Sequence, residues 1–157
     1  MSEINQYLIF LLDHNLYGLP IANITEIIEY QTPTKIPSLP IYIHGLLNLR
    51  GKVLPIIDLN LYLGQNNTAI FKKTSALIIN YLFKNQVINL GILVDEVVDV
   101  VEINQESLEN VLDFNIKIKP EFVKNMVILD GKIVVLLDIN QVFSEKALNI
   151  IADIPKN

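Results

Sequence analysis

Two blocks of this chain occur twice, in the same order. Leu49–Leu63 aligns with Leu129–Phe143 at a displacement of 80 residues. Leu49, Gly51, Lys52, Asp58 and Asn60 recur as Leu129, Gly131, Lys132, Asp138 and Asn140, and the apolar positions between them stay apolar. Tyr17–Glu29 aligns with Leu90–Glu102 at a displacement of 73. Gly18 meets Gly91, Glu26 meets Asp99, Glu29 meets Glu102, and Ile21, Ile24, Ile27 and Ile28 all meet valines. A repeat restricts the fold more than composition does, because both copies must solve the same packing problem. Each copy reads as hairpin, short turn, strand, loop, hairpin and helix, a unit of about 65 residues with about five short strands. Five short twisted strands curl into a small barrel and so limit exposed edges. The repeat predicts a mainly β protein of two small five-stranded barrels packed together, with halves at about 6–64 and 74–147. Whether strands are exchanged between the barrels is not encoded in the alignment.

The elements follow from local signals. Hairpins are expected around Asp13–His14–Asn15, Gly51–Lys52, Phe83–Lys84–Asn85 and Asp130–Gly131, each between apolar runs. Pro20 suits the start of a short helical segment over Ile21–Thr25, where its missing N–H costs nothing. Pro33, Pro37 and Pro40 exclude a central strand over residues 31–40. Asp58 and Asp138 fit helix N-caps. The second of these helices is expected to run to about Ile151, with residues 148–157 as its end and a tail. Gln65–Lys73 is polar and reads as a linker; Asn104–Asn115 reads as a long loop with a helical turn near Glu106–Asn110.

Composition removes several function classes. Hydrophobic residues make up 51% of the chain, which argues against disorder and leaves apolar surface available for partners. The net charge is −5, with 12 basic residues and no Trp, so neither a nucleic-acid groove nor an anionic membrane face is expected. There is no cysteine. His14 serves a turn, and His44 has no second ligand at metal-binding spacing, so no metal or cofactor is expected. The serines lie outside any nucleophile elbow. Glu26, Glu29, Asp95 and Asp99 are accounted for as strand and turn surface, so no catalytic residue is expected and the chain reads as a non-enzyme. The N-terminus lacks a signal-peptide pattern, and the apolar runs fall short of the roughly 18 residues a membrane span needs. A cytoplasmic protein is expected.

The repeat also separates scaffold from function. Positions alike in both copies are explained by the shared fold. Arg50, however, stands where the second copy has Asp130, and Pro55 where it has Val135. Hairpin formation does not require Arg50, since Asp suits that turn better. An arginine at a strand end can pair bidentately with a carboxylate, and Glu26 is the expected partner.

Three ordered motifs carry a family resemblance. Tyr17–Gly18–Leu19–Pro20–Ile21 with Ile24–Thr25–Glu26–Ile27 resembles the opening of the CheW family of chemotaxis coupling proteins. Asn48–Leu49–Arg50–Gly51 with Pro55–Ile56–Ile57–Asp58–Leu59 is similar to that family's main signature, and Gly91–Ile92–Leu93–Val94–Asp95 with Val97–Val100 to its third block. The resemblance spans residues 6–147. It implies two SH3-like five-stranded barrels with short helices and a C-terminal helix. It also implies a non-catalytic adaptor at membrane-associated receptor arrays, joining the cytoplasmic tips of transmembrane chemoreceptors to the regulatory domain of a CheA-type histidine kinase. A non-flagellar chemosensory pathway, such as type IV pilus twitching motility, is the alternative setting. By motif, the receptor-facing residues would be Ile24, Glu26, Gly45, Arg50 and Val100; the kinase-facing surface stays unassigned.

Overall fold

Each hairpin turns on two consecutive residues with positive φ. These are Asp13–His14 (48° and 68°), Arg50–Gly51 (51° and 84°), Lys84–Asn85 (51° and 62°) and Asp130–Gly131 (50° and 78°). Two-residue turns of this hand match the right-handed twist of the flanking strands. In the computed structural model, residues 4–109 and 120–154 are described. The four turns join β1 (Ile4–Leu12) to β2 (Asn15–Pro20), β4 (Ile43–Leu49) to β5 (Lys52–Asp58), β6 (Ser75–Phe83) to β7 (Gln86–Val94), and β9 (Val123–Leu129) to β10 (Lys132–Leu137). Two further strands, β3 (Ile24–Glu29) and β8 (Glu96–Asn104), follow the first and third hairpins. Phe83 is thus the last strand residue, opposite Gln86, and the expected three-residue turn is a tighter one at the end of two nine-residue strands.

The strands form two five-stranded sheets, ordered β8-β1-β2-β10-β9 and β3-β6-β7-β5-β4. In the repeat β8 corresponds to β3, β1 to β6, β2 to β7, β10 to β5, and β9 to β4. The two sheets therefore have the same order. The leading hairpin of each copy, however, sits in the sheet of the other copy. Strands β3 to β7 form one continuous central sheet, and the two ends of the chain build the terminal sheet. The chain passes between sheets twice, at the 3-10 turn Ile21–Asn23 and at the single residue Asp95.

The exchange explains the duplicated glycines. Gly18 pairs in parallel with Leu136, and Gly91 with Ile56. A Cβ on Gly18 would lie 2.7 Å from Leu136 Cδ2, and one on Gly91 would lie 2.6 Å from Ile56 Cδ1. Each glycine makes room for a side chain from the strand of the other copy beside it.

Among the described residues one large hydrophobic core and smaller clusters hold the fold. A large shared core lies between the sheets and includes Phe10, Leu12, Leu19, Ile57, Leu77 and Ile92, all fully buried. Each sheet also rolls around a smaller core of its own. Ile28 on edge strand β3 packs into the same clusters as Leu47 and Leu49 on the opposite edge strand β4. Likewise Val101 on β8 and Leu129 on β9 share one cluster in the terminal sheet. Paired bridges, Thr34 with Leu46 and Glu109 with Met126, repeat this closure at equivalent places. Strands between the edges are buried on both faces, so they read as continuous apolar runs. The apolar content thus goes largely into these cores.

The two sheets differ at the parallel seam. In the terminal sheet Val134–Leu136 pairs with Leu16–Gly18; in the central sheet the pairing is Ile56–Asp58 with Gly91–Leu93. Pro55 stands where Val135 pairs with Tyr17, and it has no N–H to donate to a ladder. The seam opens there into a pocket of 410 Å³ lined by Leu54, Pro55, Ile88 and Ile151.

Asp58 caps α1 (Leu59–Tyr62) by accepting from the Leu61 N–H, and Asp138 caps α2 (Ile139–Val142) through Asn140 N–H. The expected terminal helix is in fact two. Phe143 and Ser144 are extended, and Ser144 caps a separate α3 (Glu145–Ala152) by accepting from Ala147 N–H. The loop from Asn104 opens with a 3-10 turn at Gln105–Ser107 and is described only as far as Glu109. The tail from Pro155 lies outside the described residues.

Candidate functional site

Glu26 and Arg50 are brought together across the roll of the central sheet. Glu26 lies on edge strand β3; Arg50 is the first turn residue after the opposite edge strand β4. Arg50 Nη2 donates to Glu26 Oε1 at 2.6 Å and Oε2 at 2.5 Å. One guanidinium nitrogen therefore straddles both carboxylate oxygens, rather than two nitrogens meeting them as a parallel fork. The Arg50 side chain is 72% exposed and that of Glu26 27%, so the pair sits on the rim with its cation in water. The hydrogen bonds it donates to Glu26, and then the charge of that carboxylate, raise the Arg50 pKa above its ordinary value. Arg50 holds φ at 51°, a left-handed conformation that Gly, Asn and Asp adopt more readily. Asn48 supports the turn by accepting from Gly51 N–H at 3.0 Å.

Behind the pair is an open groove of 590 Å³. Leu49, Leu54 and Ile78 supply apolar lining, and Thr25, Glu26 and Arg50 a polar side. An ion pair over an apolar floor can orient a protein partner and exclude wrongly charged ones.

The other three expected residues are placed differently. Ile24 is half-buried and packs against the shared core. Gly45 is buried on β4, where a Cβ would lie 2.8 Å from Pro33 Cβ and Cγ and from Thr34 O. It lets the proline-rich strap lie directly on the strand. Val100 is 44% exposed, but on β8 of the terminal sheet, opposite Leu8. Ile27, which was not among the expected receptor-facing residues, is also 44% exposed on β3. Ile27 and Val100 are equivalent positions on edge strands β3 and β8.

A second tie joins β3 to β4 at the far end of the roll. The Tyr30 hydroxyl and His44 Nε2 are hydrogen-bonded at 2.8 Å, with the rings edge-on at 5.7 Å. Burial lowers the His44 pKa below its ordinary value; Asp58 opposes that shift and Lys35 adds to it. His44 is a structural residue of the roll. Among the described residues no group of three or more His, Cys, Asp or Glu side chains could hold a metal, and no helix is long and apolar enough to cross a membrane.

Two rolled five-stranded sheets around a shared core, with an ion pair on one rim and exposed aliphatic residues on edge strands β3 and β8, define a small β-barrel interaction module. The same two-barrel plan is present in the crystal structure of the scaffolding protein TtCheW from Thermoanaerobacter tengcongensis. That match has a TM-score of 0.79 and 28% identity, and covers 94% of this chain and 92% of the other. The chain belongs to the CheW-like domain family, which matches residues 6–147. The chemotaxis protein CheW of Klebsiella aerogenes is 30% identical over 152 residues, covering 97% of this chain and 89% of that protein. The protein PilI of Pseudomonas aeruginosa is 27% identical over 88 residues, covering 56% of this chain and 47% of that one.

Proposed function

We propose that this chain is a non-catalytic adaptor of bacterial chemotaxis, joining the cytoplasmic tips of transmembrane chemoreceptors to the regulatory domain of a CheA-type histidine kinase. It works in the cytoplasm at membrane-associated receptor arrays and needs no cofactor. The observation that carries this reading is the Glu26–Arg50 pair across the rim of the central barrel. The duplicated scaffold does not need it, because the same turn forms around Asp130. The receptor-facing surface comprises Glu26 and Arg50 directly and Val100 from the terminal barrel, with Ile24 and Gly45 shaping the backbone that presents them.

The test is Arg50→Asp, which copies the residue of the second copy into the first. Co-sedimentation with receptor tips and kinase should weaken by about tenfold or more, as for other oriented interfacial charges. The melting temperature should stay within a few degrees, because exposed ion pairs contribute little to folding. Normal array assembly and kinase activation by this variant would remove Arg50 from the site. A second reading keeps the adaptor role but places it in a non-flagellar pathway such as type IV pilus motility; the partial likeness to PilI bears on it. Complementation of strains lacking the native coupling protein of either pathway separates the two.

A further inference from the structure

The second passage between the barrels is held by a polar joint that is half-buried at Asp95 and buried at Asp58, Asn60 and Thr68. Asp95 is the single residue between β7 of the central sheet and β8 of the terminal sheet. Its main-chain N–H donates to Leu11 O at 3.0 Å. Its carboxylate faces both barrels. Oδ2 accepts from the Asp13 N–H in the β1–β2 turn at 2.8 Å, and Oδ1 from the Asn60 side-chain amide in α1 at 3.0 Å. The same Asn60 amide donates to Thr68 Oγ1 at 2.8 Å, and Thr68 donates to Asp58 Oδ1 at 2.8 Å. Thr68 N–H also reaches Asp58 Oδ2 at 2.9 Å. Asp58, Asn60 and Thr68 are 1%, 3% and 4% exposed. The polar segment over 65–73 is therefore no free linker at its centre.

The duplicated unit does not require this joint. Asn140, the counterpart of Asn60, is exposed, and its main-chain oxygen accepts from the Tyr81 hydroxyl. The first passage, at Ile21–Asn23, is a three-residue 3-10 turn with no side-chain cap. Asn60 also carries a cost. Its side-chain oxygen is buried without a hydrogen-bond partner, and an unmet buried acceptor is destabilising. The joint sits at the start of β8. Val98, Asp99 and Val100 follow within five residues of Asp95, all exposed.

We propose that Asp95 and Asn60 are positioning residues that set edge strand β8, and with it Val100, against the rim carrying Glu26 and Arg50. This rests on the reading that the receptor-facing surface spans both barrels. Because the chain has no cysteine, two introduced cysteines can carry spin labels without interference. Positions 29 on β3 and 98 on β8 are exposed and suit them. The parent distance distribution should be narrow. Asn60→Asp, which sets a second carboxylate against Asp95, should broaden or shift it, as should the milder Asn60→Ala. Both should melt cooperatively, and co-sedimentation with receptor tips, measured without labels, should weaken severalfold. Asp95→Asn, which keeps one accepting oxygen, should fall between parent and Asn60→Asp. An unchanged distribution in folded Asn60→Asp and Asn60→Ala overturns the positioning role. A broadened distribution with normal co-sedimentation overturns its bearing on the partner surface. Lost co-sedimentation in Arg50→Asp alongside that result would confine the surface to the central barrel.

Discussion

The two barrels share strand order, hairpin turns and the paired glycines, yet their rims carry opposite chemistry. In the central barrel the aligned positions hold Glu26 and Arg50, which form an ion pair across the roll. In the terminal barrel they hold Asp99 and Asp130, two like charges. Asp99 turns to its own strand, accepting from Val100 N–H at 2.8 Å. The turn backbone is nearly unchanged, with φ of 51° at Arg50 and 50° at Asp130. Folding therefore constrains the conformation there and leaves the side chain free. A duplicated scaffold supplies an internal control: what both copies keep is explained by the shared barrel, and what one copy alone has serves something beyond it, whether a partner or a tie of its own such as Tyr30–His44.

The largest expected effect breaks both barrels at once. Cutting the chain between Asn66 and Asn67 leaves neither fragment with a complete sheet, because each retains one hairpin belonging to the other. Each fragment alone should show no cooperative thermal transition by circular dichroism. An equimolar mixture should regain one. Cooperative melting of either fragment alone would mean that the exchanged hairpins are dispensable. Next in size is the glycine pair. Gly91→Ala would press on Ile56 Cδ1 and should cost about 1–3 kcal/mol, the usual range for overpacking. Adding Ile56→Val removes the atom that is met and should recover much of the loss in urea unfolding. A double variant no more stable than Gly91→Ala would show that Ile56 is not what the glycine accommodates.

Much of the fold was legible because local rules and the repeat agreed. Asp130–Gly131 marks a hairpin by residue type, and Asp58 and Asp138 are caps by spacing and prove to be caps. The strand exchange was not legible. Gly18 and Gly91 align in either arrangement, and only the neighbour of each, Leu136 or Ile56, reveals which copy supplies it. The helix break at Phe143–Ser144 was missed for a related reason. The apolar spacing runs on through it, while Ser144 takes the cap and Tyr62 of the other copy accepts from its N–H. At the site, Arg50 with Glu26 was readable because the second copy lacks the pair. The exposure of Ile27 was not legible, because alternation alone does not say which face of an edge strand meets water. The Asp95 joint was invisible because its members lie far apart in the chain.

The smallest expected effect concerns the other tie of the central roll. His44 and Tyr30 join β4 to the end of β3; the aligned positions of the terminal barrel are Lys124 and Ile103, which form no such pair. Burial lowers the His44 pKa in the folded chain. The unfolded chain therefore takes up a proton at His44 first as pH falls through about 6.5. Over that window the unfolded state binds more protons, so stability declines as pH drops and is fully present above the unfolded value. Charges facing the ring do not reverse this, since Asp58 opposes the shift and Lys35 reinforces it, with burial the largest influence. Urea midpoints at pH 5.5 and 7.5 should differ in the parent, and the part due to His44 should vanish in His44→Gln. Double-variant analysis with Tyr30→Phe should show coupling at pH 7.5 that shrinks at pH 5.5. Equal pH dependence in parent and His44→Gln would leave the central roll closed by Glu26–Arg50 and its apolar clusters, with His44 carrying no pH sensitivity of its own.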